Sequence, residues 1–258
     1  MNSMRTFANF HLMDRPVPRR IGLVALATDH TSERDFARIC DPNLVGVYVT
    51  RIAYENPTTV QNLKKTGPRL SAAASLILPD EPLDVLAFGC TAASVVLGYE
   101  GVLSAFREVK SGVLAVTPVS AALQAFEALG VSRVSLLTPY TRAVTQELSA
   151  AFTDSGLEVL NAVFLGLDDD REIARVSQNS ILEAAEIAWH PKAEALFVSC
   201  TGLQALTCVT PLEAFGQRPV VTSNQAIIWS CLRHCDIQQE FPYGQLFSLP
   251  LPSSGRQV

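Results

Sequence analysis

A chain of 258 residues has room for one large hydrophobic core or for two of half that size. Its 48% hydrophobic and 17% charged content describe a well-buried globular protein, and an aromatic share of only 7% points to an aliphatic core. A net charge of −5 without runs of like sign leaves nothing basic to displace counterions from a phosphate backbone, so neither nucleic acid nor a membrane surface is an expected partner.

Residues 1–20 scatter Arg5, Asp14, Arg15, Arg19 and Arg20 through a broken apolar stretch that lacks the continuous hydrophobic region of a secretory leader. They read as a tail, and the expected compartment is cytoplasmic. The six cysteines (Cys40, Cys90, Cys200, Cys208, Cys231 and Cys235) are therefore read as free thiols. No apolar run approaches the roughly 20 residues that span a bilayer.

From Ile21 onward, short runs of aliphatic and β-branched residues alternate with longer helical patterns. In chain order the reading is strand Ile21–Ala27, helix Thr31–Cys40, strand Val45–Thr50, helix Asn62–Leu78 (which carries Pro68), and strands Val85–Phe88 and Val113–Val116. Helix Ala121–Leu129 follows, closed by Gly130 as its C′ residue, then strand Val134–Leu137, helix Ala143–Ser155, strand Glu158–Phe164 and helix Ser180–Ala188. Strands Ala195–Ser199 and Pro219–Thr222 and helix Gln225–Arg233 complete the set, with Ser120 and Thr141 placed to cap the helices after them. Nearly continuous apolar strands between helices are the mark of parallel sheets covered on both faces, so the fold class is α/β.

The chain also repeats itself weakly. Leu83-Asp84-Val85-Leu86-Ala87-Phe88-Gly89-Cys90-Thr91-Ala92 matches Ala193-Glu194-Ala195-Leu196-Phe197-Val198-Ser199-Cys200-Thr201-Gly202 at an offset of 110. Arg20–Val24 resembles Arg133–Leu137 at an offset of 113, and Val113–Pro118 resembles Pro219–Ser223 at nearly the same spacing. Three matches in one order predict two pseudo-symmetric, Rossmann-like lobes, each a four-stranded, mostly parallel sheet. The expected division is residues 1–118 for the first lobe, with 225–258 packing back on it, and 119–224 for the second.

Both repeated cysteines follow an apolar strand and precede a threonine, which sets each thiol at the carboxyl edge of a sheet, where open α/β folds bind ligands. A helix beginning there would offer N–H groups to a carboxylate and lower a thiol pKa, with Thr91 and Thr201 adding hydroxyls. An approximate two-fold axis would bring Cys90 and Cys200 to opposite sides of one ligand. Such a pair suits proton removal from one face of a carbon with return on the other, or thiolate addition to an activated double bond followed by rotation and elimination. Taken singly, a cysteine after a strand is usually a small hydrophobe; the matched Cys-Thr pairs carry the catalytic reading.

At Gly89-Cys90-Thr91-Ala92-Ala93-Ser94 and Ser199-Cys200-Thr201-Gly202-Leu203 the chain resembles the aspartate/glutamate racemase superfamily, on the branch of maleate isomerases, arylmalonate decarboxylases and ectoine-utilisation proteins. Leu137-Thr138-Pro139-Tyr140-Thr141, Ile173-Ala174-Arg175 and Pro219-Val220-Val221-Thr222-Ser223-Asn224 extend the likeness, which spans about residues 20–245. It implies an active site in the cleft between the lobes and no metal or organic cofactor. It also implies Cys90 and Cys200 as nucleophile or base and opposing acid, Tyr140 on a substrate carboxylate, and Thr91, Thr201 and Gly202 as donors around it. Asp29 and His30 fall in the loop where maleate isomerases read Pro-Ser-Ser-Asn-Thr-Thr, and Asp170 where relatives meet their ligand. That loop here reads Leu26-Ala27-Thr28-Asp29-His30-Thr31, the form of the ectoine-utilisation branch. This turns the expectation from plain maleate toward ectoine, hydroxyectoine or a diaminobutyrate-type derivative.

The expected function is a cofactor-independent isomerase or racemase of a small carboxylate, working as a homo-oligomer, dimer or tetramer. Maleate cis-trans isomerisation, one-sided decarboxylation and carboxylate binding without catalysis are the alternatives. Cys231, His234 and Cys235 share a helix face but lack a second ligand pair, and Asp168-Asp169-Asp170 resembles a metal clamp by composition alone, so no metal site is expected.

Overall fold

The computed structural model describes residues 4, 6 and 9–252; Arg5 of the tail lies outside them. Its strands are β1 (Arg19–Leu26), β2 (Val45–Ile52), β3 (Val85–Gly89), β4 (Leu114–Val116), β5 (Arg133–Thr138), β6 (Glu158–Phe164), β7 (Ala195–Val198) and β8 (Val220–Thr222). The helices of the first half are α1 (Ser32–Ile39), α2 (Val60–Lys64), α3 (Leu70–Ser75) and α4 (Thr91–Arg107). The rest are α5 (Pro118–Ala128), α6 (Arg142–Asp154), α7 (Asp170–Ile173), α8 (Gln178–Ala188), α9 (Val209–Gly216) and α10 (Ser223–His234).

The strands form two four-stranded sheets in the orders β2-β1-β3-β4 and β6-β5-β7-β8, and every pair is parallel. The same order twice expresses the sequence duplication as topology. Carboxylates at matched positions help set the register. Asp84 accepts the Arg20 N–H at 2.8 Å, and Glu194 accepts the Arg133 N–H at 3.0 Å, each just before the strand that leads to a cysteine. The Ser132 N–H, with the Arg133 guanidinium and N–H, holds the Glu194 carboxyl down at about 2.

Strand side chains alternate between two buried clusters. Val24, Leu26, Leu86, Phe88, Leu196 and Val198 belong to one, while Ile21, Leu23, Ala25, Val85, Ala87 and Phe197 belong to the other. Period-two alternation with both faces buried is what a covered parallel sheet requires. Each cluster runs through both sheets, so the two halves share their cores. In the second cluster Phe126, Phe152 and Phe197 meet edge to face, with centroids 5.2 to 6.0 Å apart. Helix α10 packs against α1, α5, β3 and β4.

Some expected elements are corrected. The helix read across residues 62–78 is broken into α2, a 3₁₀ turn at Gly67–Arg69 and α3, because Pro68 supplies no N–H and crowds the preceding turn. Helix α5 begins earlier than expected. Thr117 is its N-cap, and Ser120 sits three residues inside, completing a capping box. Thr141 occupies the N-cap position of α6 but makes no side-chain cap bond. Gly130 takes the left-handed φ of 66° that closes α5.

Candidate active site

One cavity gathers the carboxyl ends of five strands from both sheets. Leu26, Thr28 and Asp29 follow β1, Tyr54 and Thr58 follow β2, and Cys90, Thr91 and Ala92 follow β3. From the other sheet come Tyr140 after β5 and Cys200, Thr201 and Gly202 after β7, with Asp170 from α7. Each half thus delivers its cysteine, from an equivalent strand end, to the same space.

The two thiols are presented differently. Cys90 is the N-cap of the 17-residue α4, and its Sγ accepts the Ala93 N–H at 3.4 Å. Ser94 N–H closes the first helical bond on the Cys90 carbonyl, so the N–H groups of Thr91 and Ala92 open the helix at the cavity wall. Cys200 starts no such helix, which corrects the sequence expectation. Its φ of 94° turns the chain, and the next α-helix, α9, begins only at Val209. A non-glycine residue at that φ is strained and persists where its surroundings fix it. Those surroundings are polar and buried. The Cys200 N–H donates to Ser223 Oγ at 3.0 Å, and Thr201 Oγ1 donates to the Gly89 carbonyl at 2.9 Å, across to the strand that carries Cys90.

Burial pushes both thiols up, Cys90 well above the ordinary range and Cys200 to about 12, and Asp170 adds to both shifts. Ala93 N–H pulls Cys90 down; the Tyr140 hydroxyl, donating to the Cys200 sulfur, and the Gly202 N–H do the same for Cys200. Tyr140 is itself raised by burial and accepts from Ser199 Oγ at 3.4 Å. The free site therefore holds two neutral thiols near neutral pH. Alkylation of each by iodoacetamide, followed by peptide mass spectrometry, is expected to accelerate by about tenfold per pH unit between about pH 7 and 9. A plateau within that interval would reveal a resting thiolate and contradict this.

Of the positions singled out in the sequence, Asp29, Thr91, Tyr140, Asp170, Thr201 and Gly202 line the cavity with the two cysteines, and His30 does not. His30 is exposed and faces a surface groove with Asp169, Arg171, Glu172 and Arg175, because the turn after β1 directs its side chain outward. Asp29 is buried and occupied: its carboxylate accepts the Thr31 and Ser32 N–H groups, both at 2.8 Å, and the Ser32 hydroxyl at 2.6 Å, so it caps the start of α1. Asp170 accepts from Thr28 Oγ1 at 2.6 Å and more weakly from Thr58 Oγ1 at 3.4 Å, which ties α7 to the loops after β1 and β2. Burial raises both carboxyls. Thr28, Tyr54 and Thr58 escaped the sequence reading. The available signal was that β2 ends on the same sheet edge as β1 and β3.

The charge inventory of the cavity is one-sided. Two carboxyls and two thiols line it, and none of its lining residues is a lysine, arginine or histidine. A substrate carboxylate would be held by hydroxyls and by backbone N–H groups such as those opening α4. Among the described residues, no group of three or more His, Cys, Asp or Glu side chains is set to hold a metal ion, Cys231, His234 and Cys235 included. No helix among them is long and apolar enough to cross a membrane.

Comparison with known proteins finds relatives of the same fold. The profile of the family described as arylmalonate decarboxylase matches residues 78–247. The chain is 21% identical to maleate isomerase of Geobacillus stearothermophilus over 237 residues, 86% of this chain and 94% of that one. It is 30% identical to arylmalonate decarboxylase of Bordetella bronchiseptica over 131 residues, 50% and 54% of the two chains. Among solved structures, a variant of Nocardia farcinica maleate cis-trans isomerase with a covalently bound succinylcysteine intermediate superposes with a TM-score of 0.83 at 23% identity, over 89% of this chain and 98% of that one.

Proposed function

The chain belongs to the arylmalonate decarboxylase family, and from that footing we propose that it is a cofactor-independent, two-cysteine isomerase or racemase of a small carboxylate. The observation that carries the reading is the convergence of Cys90 and Cys200, from equivalent strand ends of the two halves, on one cavity. A one-sided protonation needs one thiol; removal from one face and return on the other uses two. In the racemase form, one cysteine first gives its proton to solvent and then, as thiolate, takes the proton from the substrate carbon next to the carboxylate, while the opposing thiol gives its proton to the other face. In the cis-trans form, the thiolate adds to one carbon of the double bond while the other thiol protonates its neighbour. Rotation about the new single bond and elimination then restore thiolate, thiol and alkene. The first turn of α4 holds the carboxylate in either case, joined by the Tyr140 hydroxyl when its proton turns from the Cys200 sulfur to the substrate. The succinylcysteine seen in the Nocardia farcinica relative is an adduct of the second kind and supports cysteine as the reacting group.

The lining favours a substrate that carries a positively charged nitrogen beside its carboxylate. Asp170 and Asp29 disfavour a dianion, and an ammonium or amidinium facing Asp170 would replace the repulsion with attraction. An ectoine, hydroxyectoine or diaminobutyrate-type derivative has that charge pattern, and maleate does not. The test is a mass-shift screen in heavy water over maleate, aspartate, hydantoins, malonates and ectoine derivatives. One compound is expected to gain deuterium at a carbon centre or to change geometry, with no carbon dioxide released. Carbon dioxide release would make the protein a decarboxylase, and binding without exchange would make it a carboxylate receptor; either outcome overturns the reading.

A further inference from the structure

We infer that Ser223 is a positioning residue shared by the two cysteine turns, holding Cys200 in its left-handed conformation and tying it to the helix that Cys90 caps. The inference rests on the two-cysteine reading above. Ser223 is the first residue of α10 and has no exposed surface. Its Oγ accepts the Cys200 N–H at 3.0 Å and the Thr91 hydroxyl at 2.8 Å. One buried oxygen therefore bridges the residue after Cys90 and the backbone of Cys200, groups contributed by different sheets.

The helix that carries Ser223 does not need its hydroxyl. Helix α10 is capped by Thr222, whose side chain accepts the Gln225 N–H, while the Gln225 side chain accepts the Thr222 N–H at 3.0 Å. The matching helix of the other half has the same box, built from Thr117 and Ser120, and the residue in the place of Ser223 is Pro118. A proline there shows that helix initiation at this point requires no side-chain hydroxyl. What Ser223 adds is confined to the site. Neighbouring polar groups complete the hold, since the Thr201 carbonyl accepts the Asn224 amide at 2.9 Å and also the Thr31 hydroxyl. Through the fixed backbone of Cys200, Ser223 keeps Sγ where the Tyr140 hydroxyl and the Gly202 N–H favour its thiolate. The Thr91–Ser223 bond can also reverse, Ser223 donating to Thr91 Oγ1 while the Thr91 proton turns to a substrate carboxylate, so carboxylate binding would be felt at Cys200.

The test is iodoacetamide alkylation of the full-length protein at fixed pH, read separately at the Cys90 and Cys200 peptides, so it needs no knowledge of the substrate. In Ser223→Ala the Cys200 turn loses its acceptor, and Cys200 alkylation is expected to slow by about tenfold, the worth of one buried hydrogen bond, with Cys90 within about twofold of the parent. Ser223→Cys, nearly isosteric and a weaker acceptor, is expected to fall between the two; it also keeps the test open if the alanine variant does not fold. Unchanged or faster Cys200 alkylation, or equal changes at both thiols, would overturn the inference. A negative heavy-water screen together with the expected alkylation pattern would remove the isomerase reading and leave the positioning role standing.

Discussion

Replacing Cys90 with serine is expected to lower turnover by on the order of 10³-fold, as is Cys200→Ser, with the melting temperature within a few degrees of the parent in both cases. The fold should tolerate the changes for reasons specific to each position. Cys90 is an N-cap whose sulfur accepts the Ala93 N–H, and serine is among the preferred residues at that position, so α4 keeps its start. Cys200 is held by its backbone N–H on Ser223, which a serine side chain leaves in place. What is lost is the more acidic group: in the same surroundings a serine hydroxyl gives up its proton far less readily than a thiol. The pair of measurements separates the mechanisms. Two-face chemistry loses turnover with either variant, whereas a site that protonates from one side retains it when the idle cysteine is changed. Near-parent turnover in either variant would remove the two-thiol mechanism, whatever the substrate.

The repeat was legible because it was written in residues whose roles are local. A strand of apolar residues, a preceding carboxylate and a Cys-Thr pair recur at an offset of 110, and all three have structural counterparts: β3 and β7, the Asp84 and Glu194 contacts to Arg20 and Arg133, and the two turns that meet at the cavity. The sequence pattern did not reveal how the halves differ. Cys90 opens a helix and Cys200 does not, because φ at Cys200 is set by Ser223, which lies 23 residues further along the chain. His30 and Asp29 adjoin in sequence, yet one faces outward and the other caps α1, a choice made by the turn geometry rather than by composition. Ser223 itself was quoted only as part of a strand-end motif. Its role depends on partners 132 and 23 residues distant, contacts that no local period encodes.

The hydroxyls expected to meet a substrate carboxylate are, in the structure, already bonded. Thr91 donates to Ser223 and Thr201 to the Gly89 carbonyl. Such cross-sheet bonds order the cavity before ligand arrives, which reduces what binding must spend on organisation. They also mean that the thiols of the free protein sit in a polar frame already bonded within itself, with the Asp170 carboxyl held by the hydroxyls of Thr28 and Thr58.

Phe197→Ala is expected to cost about 3–5 kcal/mol of folding stability, the range for removing a fully buried aromatic ring, read as a lowered urea midpoint. Phe197 has no exposed surface and meets Phe152 at 5.2 Å and Phe126 at 6.0 Å, so its loss opens a void between β7, α5 and α6 that rigid neighbours cannot fill. The ring lies in the cluster opposite the one that holds Leu196, Val198 and Cys200, since side chains alternate along β7. Stability and chemistry should therefore separate. Well below its unfolding transition, the variant should keep the parent's iodoacetamide reactivity at Cys200, while Ser223→Ala should show the reverse pattern. A stability loss under about 1 kcal/mol would mean that the aromatic cluster repacks around the missing ring. A loss of Cys200 reactivity in step with stability would mean that the strand and its turn are held by one core and not by the polar frame described above.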